Sequence, residues 1–95
     1  MAEAIIAIAR AIEIAEHNGA YEGDTLVIFD APGPYGVRLE VSPGATAVGG
    51  WCARCRDGVG TGFHCWAPNE DKAVAAQLAL NGYLDIRQHG LMNLL

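Results

Sequence analysis

Residues 51–66 read WCARCRDGVGTGFHCW, and their reading decides how the middle of the chain folds. The stretch holds all 3 cysteines and both tryptophans of a 95-residue chain. Asp57-Gly58 at its centre is turn chemistry, because a tight primed turn needs positive φ and glycine adopts it without a Cβ penalty. The flanks therefore read as two antiparallel strands. A turn on Asp57-Gly58 sets Cys52 against Phe63, whereas a turn on Gly58-Val59 sets Cys52 against Cys65 and Trp51 against Trp66. Side chains alternate with a period of two, so either register predicts Cys52 and Cys65 on one face and Trp51, His64 and Trp66 on the other.

Outward from this hairpin toward the N-terminus, Ser42-Pro43-Gly44 is a turn leading into a strand over residues 45–54. Before it, Val37-Arg38-Leu39-Glu40-Val41 alternates apolar with charged, as a strand with one wet face does. The run Thr25-Leu26-Val27-Ile28-Phe29 is β-branched or large and apolar, the composition of a buried strand, and Ala31 to Gly36 joins the two as a turn. Residues 3–17 read as an amphipathic helix. Ile5, Ile8, Ile12 and Ala15 fall on one side, Arg10, Glu13 and His17 on the other, and Asn18-Gly19 is a ready stop. The Ile stripe fits packing on the chain's own sheet better than a dimer seam, since two heptads are too few for a coiled coil.

Toward the C-terminus, Pro68-Asn69-Glu70-Asp71 opens a second helix with Asn69 as N-cap and acids in the first turn. Its expected apolar stripe is Ala73, Val74, Ala76, Gln77, Leu78, Leu80, Tyr83 and Leu84. It is expected to end at Arg87 or Gln88, with Gly82 a weak point and Gly90 a stop. The tail from Leu91 to Leu95 is apolar enough to dock on the core or on a partner. The order is α-β-β-β-β-α. The fold class expected is α+β: one domain over residues 1–95, an antiparallel four-stranded meander with the N- and C-terminal helices packed on one face.

Composition narrows the function classes. The apolar fraction is 52% and the net charge −5, with one lysine and five scattered arginines, so the basic stripe that phosphate-backbone binding needs is missing. Direct nucleic-acid binding is disfavoured, and an acidic surface leads one to expect a basic protein partner met by a monomer or homodimer. Charges at Glu3, Arg10, Glu13 and Glu16 interrupt the N-terminal apolar run, which lacks the basic leader of a signal peptide and the length of a membrane span. An odd cysteine count in such a chain points to a reducing, cytoplasmic setting.

Cys52-x2-Cys55, followed by Cys65 after nine intervening residues, is suggestive of one structural zinc. Two thiolates clamp the ion from a knuckle, the third comes from the next strand, and His89 supplies the fourth ligand. His64 is the alternative, and it needs a bulge because it is adjacent to Cys65. Two other readings stand beside zinc: reduced cysteines packed in the core, and a cross-strand Cys52–Cys65 disulfide. Cys65, His64 and Asp57 have the residue types of a nucleophilic site, but neighbours on a strand point apart, so no enzyme constellation is expected. Gly58-x-Gly60-x-Gly62 opens no helix after a parallel strand and reads as a flexible turn.

Three resemblances are carried by particular residues. The Cys52-x2-Cys55 pair, the glycine turn, the aromatic strand and the alanine-rich helix, over residues 51–89, are similar to small zinc-ribbon modules, without their second ligand pair. Trp51-Cys52-x-x-Cys55 resembles the thioredoxin motif, which implies a thiol redox protein, yet it runs into Arg56-Asp57-Gly58 instead of a helix. The helix-strand-strand-strand-helix order and the final helix, NEDKAVAAQLALNGYL, resemble the double-stranded-RNA-binding domain. That family holds phosphate with lysines where this chain has Asn69, Glu70 and Asp71, with only Lys72 basic.

The expected function is that of a small acidic non-enzymatic protein-binding domain, an adaptor or inhibitor. In size and charge it resembles the compact phage-encoded, anti-CRISPR-like inhibitors of nucleic-acid-handling complexes. The expected partner-binding residues are Trp51, Arg54, His64 and Trp66, since exposed Trp and Arg are characteristic of binding hot spots. The alternatives are a zinc-stabilised nucleic-acid-associated module using Arg54 and Arg56, and a thiol redox protein.

Overall fold

The computed structural model describes residues 2–44, 49–68 and 71–94, and the side chains of 7–44, 49–68 and 71–88. Helix α1 (Ala2–His17) is followed by β1 (Tyr21–Glu22), β2 (Thr25–Asp30), β3 (Arg38–Pro43), β4 (Trp51–Arg56) and β5 (Gly62–Ala67), and the order ends with α2 (Lys72–Leu94). The strands form one antiparallel sheet in the order β1-β2-β3-β4-β5. The α+β class and the antiparallel meander are as expected, with five strands instead of four. The additional strand arises where a polar loop was expected. Asn18-Gly19 ends α1 with Gly19 at φ 66°, and Gly23, at φ 62°, turns Tyr21–Glu22 back onto Thr25–Leu26. Glycine at the first central position is what a two-residue II′ hairpin turn asks for.

Alternation sorts the sheet into a helix face and an open face. Leu39 and Val41 of β3 are essentially inaccessible, as are Ala53 and Cys55 of β4, and all four face the helices. Leu26 and Ile28 of β2 join them. The register slips between Val27 and Phe29, and Ile28 is the residue accommodated by the bulge, so both Ile28 and Phe29 pack toward the core. Helix α1 covers β2 with Ile8, Ile12 and Ala15, while α2 lies across β4 and β5 and touches α1.

The buried side of α2 differs from the expected stripe. Its inward residues are Ala73, Ala75, Ala76, Ala79 and Tyr83, whereas Val74, Leu78 and Leu84 point outward and are 37%, 48% and 53% exposed. Small side chains on the helix meet small ones, Ala53 and Cys55, on the strand, so the helix sits close to the sheet. Gly82 lies hard against β5, because a Cβ there would come within 2.3 Å of the Phe63 ring. What the sequence presents as a weak point is a packing notch. Consequently α2 runs through Gly82 and Gly90 to Leu94 and does not stop at Arg87 or Gln88. Asp71 caps it, accepting the Ala73 amide on its carboxylate at 3.0 Å. The Asn69 cap, residues 45–48 of the expected third strand, and the docking of the side chains from Leu91 to Leu95 lie outside the described residues.

Candidate functional site: the open face of the sheet

The β4–β5 loop sets the geometry of this face. Arg56 pairs with Gly62, leaving residues 57–61 as the connection, longer than the two-residue turn expected from Asp57-Gly58. Asp57 organises it. Its Oδ1 accepts the amides of Val59 at 3.0 Å and Thr61 at 3.1 Å, and its own amide donates to the Thr61 carbonyl at 3.0 Å. Its Oδ2 accepts the Tyr83 hydroxyl at 2.7 Å and the Arg87 guanidinium at 2.8 Å, both from α2. The carboxylate is fully shielded from solvent. The Tyr83 hydroxyl, then the loop amides and Arg87, hold its pKa well below the usual carboxylate range, although burial alone would raise it.

This loop shifts the pairing by one residue from the nearer expected register, and one residue reverses the faces. Cys52 stands opposite Trp66, Ala53 opposite Cys65, and Trp51 opposite Ala67. Cys52 and Cys65 are therefore on opposite faces, and so are Trp51 and Trp66. The expected grouping of Trp51 with His64 and Trp66 does not hold. Trp51 is on the helix side, half-buried against the core, with the Lys72 ammonium 5.2 Å from its ring centroid. Lys72 also pairs with Glu16 of α1, so Trp51 belongs to the seam where α2 begins.

The three cysteines are free. Cys55 is buried on the helix side, where burial foremost and the Asp57 charge next push its thiol up to about 11. Cys65, on the same side, donates to the Ala75 carbonyl at 3.6 Å, and burial raises its pKa as well. Cys52 lines the open face. The sheet thus does not bring the three expected zinc ligands to one point, and His64 shares a face with Cys52 alone. The side chain of His89, the expected fourth ligand, lies outside the described residues. Among the described residues, no group of three His, Cys, Asp or Glu could hold a metal ion. Nor is there, among them, a helix long and apolar enough to cross a membrane.

Three of the four expected partner-binding residues do come together. Across β5, Arg54 faces His64, beside the Cys52–Trp66 pair, while Arg56 faces Gly62. Across β4 the next strand contributes Ser42, Glu40 and Arg38, opposite Cys52, Arg54 and Arg56 respectively. Trp66 is 45% exposed yet fixed: its indole Nε1 donates to the Gly49 carbonyl at 3.0 Å. Gly44 and Gly50 form the cradle, since a Cβ on either would stand 2.9 Å from that nitrogen. The indole N–H is satisfied internally, so the ring offers mainly its apolar surface outward. A trough of about 540 Å³ runs past Ser42, Cys52, Arg54, His64 and Trp66. A second, of about 420 Å³, continues from Arg54 and His64 over Arg56 and Gly62.

At the other end of the face, Arg38 gathers Glu22 at 3.0 Å, Asp30 at 3.1 Å and Glu40 at 3.2 Å, tying β1, β2 and β3 together. Sequence reasoning missed both Arg38 and Asp57 as organising residues. Arg38 had a local signal in its strand position between Glu22, Asp30 and Glu40, while Asp57 had none beyond its turn. No family model, no curated protein and no solved structure matches the chain.

Proposed function

We propose that the chain is a non-enzymatic binding domain that meets a protein partner through the open face of its sheet, as an adaptor or an inhibitor. One observation carries this reading. Trp66 is held by the Gly49 carbonyl and the cradle of Gly44 and Gly50, and still leaves nearly half of its surface exposed beside Arg54 and His64. A large aromatic kept rigid and outward is pre-organised for contact, since ordering it again on binding carries little entropic penalty. Stability alone does not ask for this exposure, because the helix face already buries Leu39, Val41 and Cys55 completely.

Affinity capture from the native host with Trp66→Ala and His64→Ala chains tests the proposal, with circular dichroism confirming that each variant is folded. Recovery of the partner should fall sharply for Trp66→Ala. Equal recovery by wild type and both folded variants would remove the open face as the interaction surface.

A further inference from the structure

Charge is distributed unevenly over the open face. The chain has 6 Lys and Arg residues against 11 Asp and Glu, yet Arg38, Arg54 and Arg56 share this one face. The face's acids, Glu22, Asp30 and Glu40, converge on Arg38 over β1–β3, with Glu40 directly opposite Arg54 at the edge of the same trough. Arg54 is exposed and has no ion pair among the described residues, and Arg56 reaches Glu40 only at 4.0 Å. The open-face residues of β4 and β5 are Cys52, Arg54, Arg56, Gly62, His64 and Trp66, so these two strands add two cations and no acid, against the sign of the whole chain, and Glu40 is already engaged by Arg38.

We propose that the segment received by this face is an extended acidic peptide of the protein partner, with an apolar side chain for Trp66 and carboxylates for Arg54 and Arg56. The proposal rests on the reading of the open face as a protein-binding surface and adds the chemistry of what it binds. Arg54 and Arg56 are two residues apart on one strand, hence separated by roughly 6.5 Å along it. An extended peptide presents alternate side chains at the same spacing, so carboxylates at positions i and i+2 meet the two guanidiniums in register. Gly62, opposite Arg56, leaves that end of the trough without a side chain to block a backbone. The troughs share Arg54 and His64, so one segment spans the indole end and the arginine end. A basic partner, expected from net charge alone, would meet like charge here.

A nucleic-acid strand fits less well. Arg54 and Arg56 can neutralise too few phosphates to overcome a net charge of −5. Among the described residues of β4 and β5, the rings on this face are Trp66 and the smaller imidazole of His64, whereas single-strand binding relies on a series of stacking platforms along the backbone.

The test is a titration of the isotopically labelled full chain, followed by amide and indole NMR shifts. One probe is a synthetic peptide alternating glutamate with serine around a single phenylalanine; the others are its glutamine-for-glutamate counterpart and oligothymidylate. The acidic peptide should move the amides of Cys52, Arg54, Arg56 and His64 and the Trp66 indole N–H. Its affinity should fall about tenfold in the Arg54→Gln/Arg56→Gln double variant, in line with loss of paired interfacial charges. No shifts with the acidic peptide, equal binding of the glutamine peptide, or tighter binding of oligothymidylate at the same salt each overturn the proposal. Partner capture separates the two levels. If Trp66→Ala loses the natural partner while the double arginine variant keeps it, the face stands and the acidic segment falls. If both keep it, the face itself falls.

Discussion

The Tyr83 hydroxyl of α2 donates to the buried Asp57 carboxylate across 2.7 Å, and through this contact the helix fixes the loop that sets the register of β4 and β5. Arg87 reaches the same oxygen from one turn further along α2 and also lies 3.2 Å from the Tyr83 hydroxyl. The pairing that decides which side chains share the open face thus depends on residues well separated from the hairpin in sequence.

Stability should therefore depend on the Asp57 charge. The folded carboxyl titrates below its ordinary value, so its contribution is fully present above about pH 4 and is lost as the pH falls through the folded value. The wild-type Tm should decline as the pH is taken from about 5 toward 2. Glu22, held low mainly by its hydrogen bond to Arg38, contributes to the same decline. Asp57→Asn should melt several degrees lower at neutral pH and give a flatter profile over the acidic range, read by calorimetry at a series of pH values. A variant profile parallel to that of the wild type would show that the Asp57 charge plays no part.

Gly82 offers a second test, because two effects of known sign compete there. Alanine in a helix interior is favoured over glycine by about 1 kcal/mol. Here its Cβ would stand 2.3 Å from the Phe63 ring, and overpacking of that kind typically costs ~1–3 kcal/mol. Gly82→Ala should be destabilising by denaturant titration, and Phe63→Leu should make the same substitution less harmful. Additive effects in this double-mutant cycle would contradict the close approach.

The cysteines should separate by reactivity. Cys52 lies on the open face, Cys65 is hydrogen-bonded to the Ala75 carbonyl, and Cys55 is buried with its thiol pushed up to about 11. Because the thiolate is the reactive form, a disulfide reagent near pH 8 should modify Cys52 first and Cys55 only when the chain unfolds. Peptide mapping after a short exposure identifies the modified site. Early modification of Cys55 would contradict the assignment of faces.

The elements whose periodicity is strong could be read from the sequence, and the features fixed by distant contacts could not. Alternation in Arg38-Leu39-Glu40-Val41 places Leu39 and Val41 inside without reference to any other part of the chain. The hairpin is recognisable from Asp57-Gly58, but its register follows from partners on α2, and a slip of one residue carries Trp51 to the helix side and Cys52 to the open face. The inward side of α2 was misread for a related reason. Ranking side chains by hydrophobicity favours Leu78 over Ala79, whereas close packing on Ala53 and Cys55 selects the alanines. Arg54, His64 and Trp66 share a face only through this shift, because either expected register pairs Arg54 with Thr61 or Phe63 and so sets it on the side of Cys52 and Cys65, away from His64 and Trp66.

The fixed orientation of Trp66 gives a final prediction, one that separates a held indole from a merely exposed one. The Gly49 carbonyl accepts the indole N–H, and Gly44 lies against both: a Cβ on Gly44 would come 2.4 Å from that carbonyl oxygen and 2.9 Å from the indole nitrogen. Gly44→Ala therefore has to displace the indole or the loop backbone, and the ring is the one held by a single hydrogen bond. Freed, it samples more rotamers and more water. In a Trp51→Phe background, which leaves Trp66 as the only tryptophan, Gly44→Ala should shift emission to longer wavelength and lower its anisotropy. The helix-face core, which Gly44 does not touch, should keep the far-ultraviolet circular dichroism unchanged. If emission and anisotropy both stay at their parent values, the indole is not held by this cradle, and pre-organisation of the open face loses its support.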